Sequence, residues 1–247
     1  MRELRYLTIA DELRRQAGDG ERPAGGLLPS EAELSAAYGA SRVTVRKALE
    51  VLRGEGLIDS RQGYGWFVVG VPVRQSLARL GTIEEQLAGA GARPERRILD
   101  FGFVPAPARA RAVLGSETVL QVRRLTLADG NPFARVTVWV PERLGAGLSR
   151  NDVESESFYR VIPVPLGGAT QTIGAAAAGD DDARALEVPV GSPLLRCERV
   201  TSATDGTPVI LAEHVFPALR TEFVVELPGD GEATGGELAP SGLRLVD

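Results

Sequence analysis

The sequence contains very few residues of the types that form disulfides, bind metal ions or serve as histidine acids and bases in catalysis. Its 247 residues include one cysteine, Cys197, and one histidine, His214. A single cysteine excludes an intramolecular disulfide, and one cysteine with one histidine does not favour a zinc site. A catalytic triad would depend on His214, which we expect to be a core or surface histidine, and no nucleophile stands in an elbow motif. We therefore predict no catalytic residue, no metal and no cofactor.

Long apolar runs are also missing from the sequence. No run approaches the ~20 apolar residues of a membrane-spanning helix. The first 20 residues carry charges such as Asp11 and Arg14, where the core of a signal peptide would be apolar. We therefore expect a cytoplasmic protein with no membrane partner. The net charge of -5 and the pI near 5.2 repel phosphate overall, so binding to nucleic acid would have to depend on a local basic face.

Residues 29 to 68 follow the pattern of two short helices and a hairpin. Ser30 and Glu33 have the spacing of a capping box, and Gly39 ends the first predicted helix. Ser41 can cap a second helix, whose apolar residues recur at helical spacing. The short turn between the two contains a glycine, as the connection of a helix-turn-helix does.

Basic and small polar side chains crowd the first half of the second predicted helix. They lie off its apolar stripe, where a recognition helix meets base edges and phosphates. Two apolar-rich stretches then flank a loop with two glycines, which permit a tight turn close to a sugar–phosphate backbone. The pattern predicts a winged helix-turn-helix, although an amphipathic helix with a solvated face and a hairpin would share part of it. The predicted DNA-binding residues are Ser41, Arg42, Thr44, Arg46, Lys47, Gly63, Tyr64 and Gly65.

This stretch resembles the GntR family of bacterial transcription regulators over most of residues 6 to 70. The resemblance implies DNA contacts by Arg42, Thr44, Arg46 and Gly65, with Gly63 beside the last. Many members have arginine where Ala32 stands, and the chain departs from them there. The motifs that carry the resemblance are Leu28-Pro-Ser-Glu, Ser41-Arg-Val-Thr-Val-Arg, Glu55-Gly-Leu-Ile and Gln62-Gly-Tyr-Gly-Trp-Phe-Val.

The second part of the chain contains a weak internal repeat. Residues 119–141 and 194–217 each read as strand, Asp-Gly turn, proline and strand, with the turns at Asp129 and Asp205. Such a repeat predicts a pseudo-symmetric antiparallel sheet with helices on it. The other predicted elements are helices at residues 4–17, 77–89 and 107–114 and a strand at residues 94–104.

Residues 78 to 228 resemble the UTRA effector-binding domain of the HutC branch of the GntR family, which is related in fold to chorismate lyase. Motifs that carry this resemblance include Val104-Pro-Ala-Pro-Ala, Ser157-Phe-Tyr and Asp205-Gly-Thr-Pro-Val. The predicted fold class is therefore α+β. We predict a winged helix-turn-helix domain at residues 1–69, a linker at 70–77, a UTRA domain that binds an effector and dimerises at 78–228, and a disordered tail at 229–247.

The resemblance also implies a ligand pocket, with several positions changed. Val136 and Ile210 stand where glutamate is common among members that bind phosphosugars or small acids. A pocket that lacks polar partners disfavours a sugar phosphate, because an unmade hydrogen bond costs ~1–3 kcal/mol. We hypothesise a less polar effector, aromatic or lipid-like, anchored by Arg124. The predicted effector-binding residues are Arg124, Thr126, Ser157, Phe158, Tyr159 and Phe216.

The expected function is that of a homodimeric, sequence-specific DNA-binding transcription regulator. We expect a repressor whose affinity for a palindromic double-stranded operator is modulated by a small molecule. Two alternatives remain open. One is a chorismate lyase-like enzyme of small molecules, which would need a positioned acid or base. The other is a DNA-binding protein without an effector, whose pocket is filled by its own side chains.

Overall fold

The computed structural model of the chain describes residues 5–18, 26–69, 72–78 and 80–227. The chain is α+β, as predicted: a winged helix-turn-helix is followed by an antiparallel sheet that carries helices. The predicted disordered tail lies outside the described residues, as do residues 70 and 71 of the predicted linker. Within the described ranges, no helix is long and apolar enough to span a membrane.

The N-terminal part, which we call the head, consists of three helices and a two-stranded antiparallel wing. The apolar face of its third helix forms the centre of the head core, where Val45, Ala48 and Leu49 are fully buried. These side chains pack with Leu13 from the first helix and Trp66 from the wing. The elements of the head are α1 (Arg5–Gly18), α2 (Glu31–Tyr38), α3 (Arg42–Gly54), β1 (Ile58–Arg61) and β2 (Gly65–Val68).

Side-chain caps begin both helices of the helix-turn-helix. The Ser30 hydroxyl accepts the N–H of Glu33 at 3.2 Å, and the Glu33 carboxylate accepts the N–H of Ser30 at 2.8 Å. Gly39 ends α2 with φ at 54°, a conformation that glycine adopts most readily. Ser41 then caps α3 by accepting the N–H of Thr44 at 3.2 Å. The predicted capping residues therefore determine where α2 and α3 begin.

A six-stranded antiparallel sheet organises the rest of the described chain. Its strand order is β4-β5-β6-β9-β8-β7, so the pairing of β6 with β9 joins two three-stranded halves. This arrangement confirms the predicted pseudo-symmetric sheet and both predicted hairpins. The six strands are β4 (Pro94–Pro105), β5 (Thr118–Ala128), β6 (Asn131–Pro141), β7 (Leu166–Ala177), β8 (Pro193–Ala203) and β9 (Pro208–Pro217). A separate two-stranded sheet consists of β3 (Val73–Ser76) and β10 (Thr221–Val224).

Short helices cover both faces of this sheet. On one face, Leu87, Val153 and Phe158 belong to the largest apolar cluster. On the other face, Ala110 and Leu186 belong to two smaller clusters. Alternate residues of the central strands therefore point into one of two apolar layers. The helices are α4 (Ile83–Gly89), α5 (Ala108–Leu114), α6 (Glu142–Gly145), α7 (Arg150–Ser155), α8 (Phe158–Val161) and α9 (Asp180–Leu186).

The helix predicted from residue 77 begins only at Ile83, so the prediction is wrong for residues 77, 78 and 80–82, while residue 79 lies outside the described residues. Thr82 caps α4 by accepting the N–H of Glu85 at 3.1 Å, and the Glu85 carboxylate accepts the N–H of Thr82. Leu77 and Leu80 are 37% and 38% exposed, so the apolar spacing before the cap does not mark a buried face. The chain reaches α4 from β3, which pairs in parallel with β10 within the segment that the sequence places in the linker.

Strand β7 is not predicted by the sequence pattern. Its twelve residues are mostly glycine, alanine and threonine, and most of them are exposed on both sides of the strand. Such a stretch has neither the alternation nor the β-branched and aromatic content by which a strand is recognised. Pairing with β8 along nearly its whole length, with one register shift between Leu166 and Gly168, is what makes it a strand.

Candidate nucleic-acid interface and effector cavity

The N-terminal half of α3 presents a row of exposed side chains. Arg42, Val43, Arg46 and Lys47 are all exposed. Arg42 forms no hydrogen bond with the residues that the structure describes. Because a helix N-terminus carries positive partial charge, this half of α3 attracts phosphate even in an acidic chain. The surface thus has the shape and the charge to enter a groove of double-stranded DNA.

Glu31 holds Arg46 in place. The Arg46 guanidinium donates two hydrogen bonds to the Glu31 carboxylate, at 2.9 and 2.7 Å, and Trp66 Nε1 donates to the same carboxylate at 3.4 Å. The bonds from Arg46 are the main reason why the pKa of Glu31 lies below its ordinary value. The Arg46 side chain remains 65% exposed. One carboxylate therefore connects α2, α3 and the wing and orients Arg46 outward.

Three other predicted DNA-binding residues have partners within the head. The Lys47 ammonium lies 4.2 Å from the centroid of the Tyr6 ring, in cation–π geometry. The hydroxyls of Ser41 and Thr44 lie 2.8 Å apart. These contacts set the orientation of the side chains at the start of α3, and contact with DNA stays a prediction for them.

The wing brings two of its three predicted residues to an exposed turn. Gly63 and Gly65 have φ values of 77° and 97°, which other residues adopt only with strain. Both glycines are exposed, so a phosphate could approach their backbone closely. Tyr64 differs, because it is only 9% exposed and its ring packs edge to face on Phe67 at 5.5 Å. The structure does not present the Tyr64 ring to solvent.

Val43 is a candidate contact that the sequence pattern did not single out. Its side chain is 79% exposed, between Arg42 and Thr44 on the groove-facing half of α3. An apolar side chain at such a position can contact the methyl group of thymine. The available signal was its position off the buried stripe that begins at Val45.

A second candidate site is a small cavity between the sheet and the turn that precedes α4. Its volume is about 30 Å³, room for about two water molecules. A cavity of this size accepts no organic molecule unless part of its wall moves. The lining residues are Gly81, Thr82, Ile83, Arg124, Val138, Ser157, Phe158, Tyr159, Arg199, Ile210, Ala212 and His214.

Arg124 is the most unusual residue of this wall. It is 7% exposed, and its Nε and Nη1 atoms are buried without a hydrogen-bond partner. Burial lowers the pKa of Arg124 to about 10, so the side chain is still a cation at neutral pH. A buried charge without hydrogen bonds is costly, and buried polar groups normally have partners. The unmade bonds of Arg124 therefore point to an anionic partner in the cavity.

Glu84 compensates part of this charge from behind the wall. Its carboxylate lies 2.9 Å from the guanidinium of Arg96. Burial opposes ionisation of Glu84, but the charges of Arg124 and Arg96 outweigh it, and the pKa of Glu84 is lowered. Glu84 is thus ionised but shared between two arginines, so the cavity keeps an excess of positive charge.

His214 is neutral in this environment. It is 7% exposed, and burial, helped by the charges of Arg199 and Arg124, lowers its pKa to about 3. Its Nδ1 atom has no hydrogen-bond partner. The sequence predicted a core or surface histidine, and the structure shows a buried one with an unmade bond on the cavity wall.

Arg199 is a cavity residue that sequence reasoning missed. From β8 it donates hydrogen bonds to the carbonyl of Gly81 at 3.0 Å, to the hydroxyl of Tyr159 at 2.7 Å and to Oε1 of Gln171 at 2.7 Å. The internal repeat could have revealed it, because each hairpin carries an arginine in the strand before its Asp-Gly turn. The cavity therefore has two arginines: Arg199 donates from Nε and Nη1 to three described acceptors, whereas Nε and Nη1 of Arg124 have no hydrogen-bond partner.

The structure brings four of the six predicted effector residues together and corrects two. Arg124, Ser157, Phe158 and Tyr159 line the cavity. Phe216 does not, because it is 1% exposed and packs against the rings of Phe133 and Phe223 at 5.8 and 5.6 Å. Thr126 does not either, because it is fully buried on β5 beyond Arg124. The side chains of Phe216 and Thr126 lie on the same face of the sheet as Arg124. They lie farther along their strands, within the apolar core.

The described cavity wall includes no carboxylate side chain. Across the described ranges, there is also no cluster of three histidine, cysteine, aspartate or glutamate residues that could hold a metal ion. Cys197 is buried, which raises the pKa of its thiol to about 12 and keeps it protonated.

Comparison with known proteins matches both halves of the chain. Residues 5–68 match the model of bacterial regulatory proteins, gntR family, and residues 89–222 match the UTRA domain. The HTH-type transcriptional regulator Rv0792c of Mycobacterium tuberculosis is 38% identical over 229 residues, which are 89% of this chain and 84% of that protein. The HTH-type transcriptional repressor NagR of Bacillus subtilis is 30% identical over 225 residues, 89% of this chain and 93% of that protein. The crystal structure of PhnF from Mycobacterium smegmatis has the same fold, with a TM-score of 0.60 at 24% identity over 89% of this chain and 98% of that one.

Arg46→Ala should weaken binding to an operator fragment by about 1–3 kcal/mol, as expected for the loss of one base or phosphate contact. Arg53→Ala is the matched control, because Arg53 lies at the far end of α3 and pairs with Asp59 at 3.0 Å. Titration of labelled DNA at constant salt measures both. Equal affinities for the wild type and Arg46→Ala would show that α3 does not read DNA with this residue.

Stability should fall as the pH drops below about 6.5, because unfolded His214 takes up a proton that the folded state, with a pKa of about 3, refuses. The slope can reach about 1.4 kcal/mol per pH unit. Denaturant unfolding of the wild type and of His214→Gln, compared at neutral and mildly acidic pH, isolates this effect because the sequence has no other histidine. Identical pH dependence in both proteins would mean that His214 is not buried in a neutral form.

Proposed function

The chain belongs to the gntR family of bacterial regulatory proteins and carries a UTRA domain, and from this we propose that it is a cytoplasmic repressor that binds a palindromic operator as a homodimer and responds to a small organic anion. It is a DNA-binding transcription regulator with a ligand-binding C-terminal domain. The observation that carries the DNA-binding part is the exposed row on α3, where Arg46 is oriented by Glu31.

Repression is the direction of control that the relatives favour. The relative from Bacillus subtilis described above is named a transcriptional repressor. A repressor needs only to occupy its operator, which a specific head on a stable dimer does without further contacts. Two heads related by a two-fold axis read matching half-sites, so a palindromic operator follows from a homodimer.

Strand β7 is the surface that supports the homodimer. It is an edge of the sheet, twelve residues long, and contains no charged residue and no proline. Exposed edges are normally protected from pairing by charges, prolines or bulges. The opposite edge, β4, is protected by charged residues such as Arg97, whereas a register shift occurs in both edge strands. An uncharged edge of this length fits a second copy of β7 in antiparallel pairing, which a two-fold axis permits.

A groove beside β7 adds three exposed apolar side chains to this edge. It has a volume of about 480 Å³ and is bounded by Leu77 and Leu80 on one side and by Ile173 of β7 on the other. All three are more than a third exposed. A partner strand together with its neighbouring side chains would cover this surface.

The effector class follows from the charge and the lining of the cavity. Arg124 has unmade donor bonds, His214 is neutral, and Val138, Ile210 and Ala212 are apolar. An anion with a compact apolar body satisfies both features, whereas a sugar would place hydroxyls against the apolar residues. We therefore propose an aromatic or similarly apolar carboxylate or phosphate ester.

The two alternatives from the sequence are less well supported by the cavity. An enzyme would need an acid or base, and a histidine with a pKa of about 3 is a poor base. A protein without an effector is expected to fill its pocket with its own side chains, and the small size of the cavity agrees with this alternative. The buried arginine with unmade hydrogen bonds argues against it, because a filled pocket does not explain such a residue.

Ile173→Lys should raise the dissociation constant of the homodimer by about tenfold or more, since it places a like charge from each copy into the paired edges. Leu99→Lys is the control, because Leu99 is 44% exposed on the opposite edge strand. Sedimentation of the full chain over a concentration series measures both. A wild type that sediments as a monomer, or a dimer indifferent to Ile173→Lys, would remove β7 as the interface.

Benzoate should raise the melting temperature of the wild type, and its neutral isostere benzamide should not. Arg124→Met should lose the benzoate effect. The effect is measured against the variant's own melting temperature without ligand, because Glu84 loses one of its two arginine partners in this variant. Arg97→Met is the control, since Arg97 is 58% exposed on the same sheet. Stabilisation by glucose 6-phosphate in place of benzoate would instead indicate a polar sugar site.

A further inference from the structure

Arg199 connects three parts of the C-terminal domain that have different roles. Its hydrogen bonds reach Tyr159 on the cavity wall, Gly81 in the turn before α4 and Gln171 on the β7 edge. It is also the one residue that lines both the cavity and the groove beside β7 among those the structure describes there. A shift of this guanidinium would therefore change its hydrogen bonds at the cavity, the turn and the edge at the same time.

The turn to which Arg199 donates lies in the segment that runs from the head through β3 to α4. Residues 69–72 separate the last wing strand from β3. Beyond β3, the N–H of Leu77 donates to the carbonyl of Val224 at 2.9 Å. Among the described residues of this segment, the bond between Arg199 and the Gly81 carbonyl is the next hydrogen bond toward α4 that joins the segment to the main sheet. The position of the segment thus depends on what Arg199 binds.

Admission of an organic anion to the cavity requires movement of part of its wall, and this same segment belongs to that wall. Gly81, Thr82 and Ile83 line the cavity, whose volume of about 30 Å³ is too small for an organic anion. An anion drawn to Arg124 would also face Arg199 across the cavity. Charge-assisted hydrogen bonds are roughly twice as strong as those between neutral groups. Arg199 therefore gains by exchanging the neutral oxygens of Gly81 and Tyr159 for those of the anion.

We propose that Arg199 is a latch: it donates to the Gly81 carbonyl when the cavity is closed, and to the anionic group of the effector when the cavity is occupied. The exchange releases the turn before α4 and thereby changes the position of β3, through which the chain reaches the head. This inference rests on the proposed effector site, because it requires an anion at Arg124. It assigns the coupling between cavity and linker to one side chain.

The first test needs no ligand. In hydrogen exchange of the full chain, Arg199→Gln should raise the exchange rates of the Leu77 and Thr82 amides by about 3- to 10-fold, since the segment loses its tie. Arg196→Gln is the matched control, because Arg196 lies on the same strand and pairs with Glu213 on the other face. Gln171→Ala, which removes only the acceptor that positions Arg199, should act in the same direction more weakly. Unchanged exchange in Arg199→Gln would overturn the latch.

The second test adds benzoate as the probe and an operator fragment as the readout. In the wild type, benzoate should raise exchange at residues 77–82 and change operator affinity by about 5-fold or more. In Arg199→Gln, operator affinity should no longer depend on benzoate, which a purely structural role would not predict. In Arg124→Gln, benzoate should leave exchange at the wild-type level, because the anion is not bound.

The outcomes separate the latch from the site on which it rests. If benzoate raises the melting temperature through Arg124 but leaves exchange at residues 77–82 unchanged, the latch is wrong and the effector site stands. If benzoate has no effect that depends on Arg124, the proposed effector class fails, and the comparison of Arg199→Gln with Arg196→Gln without ligand still decides whether Arg199 holds the segment.

Discussion

The buried guanidinium of Arg124 influences the ionisation states of the neighbouring residues and determines the charge of the cavity in the C-terminal domain. A cation with unmade hydrogen bonds is tolerated there because Glu84 is ionised and His214 is neutral. The same cation gives the cavity an excess of positive charge, and the apolar residues on the adjacent strands restrict what can satisfy it. The cost of this arrangement is an argument for function, since a packed apolar core would be more stable.

The head satisfies a different constraint, that of binding phosphate with a chain whose net charge is -5. It does so locally, by placing arginines at the positive end of α3 and by orienting one of them through Glu31. A carboxylate in a DNA-binding surface at first looks unfavourable. Here it fixes the geometry of Arg46 and joins the wing to the helix pair through Trp66. Specific recognition depends on such prior orientation as much as on charge.

Local chemistry made much of the fold predictable. The caps at Ser30 and Ser41 and the Asp-Gly turns of the two hairpins are signals carried by a few neighbouring residues, and the structure confirms the elements they predict. The errors come from tertiary context. Strand β7 exists because β8 pairs with it, and the start of α4 is set by a cap at Thr82 that competes with an apolar spacing upstream.

The candidate sites, too, could be predicted where local spacing determines the structure and not where tertiary context does. The row on α3 could be predicted from helical spacing, apart from Val43, whose apolar side chain concealed its exposure. The cavity could be predicted only in part, because sequence spacing shows which residues share a strand face but not how far along the strand the core ends. The sequence therefore predicts Phe216 in the cavity, whose wall does not include it, and does not predict Arg199, which lines the cavity.

Selection of bound fragments from a genomic DNA pool, repeated at two salt concentrations, tests the central claim of sequence-specific regulation most directly. The account predicts enrichment of one two-fold symmetric motif, with affinity that falls as salt rises because phosphate contacts release counterions. It also predicts that both half-sites are needed for full affinity. Fragments without a common motif, or a single asymmetric site bound equally well at both salt concentrations, would contradict it.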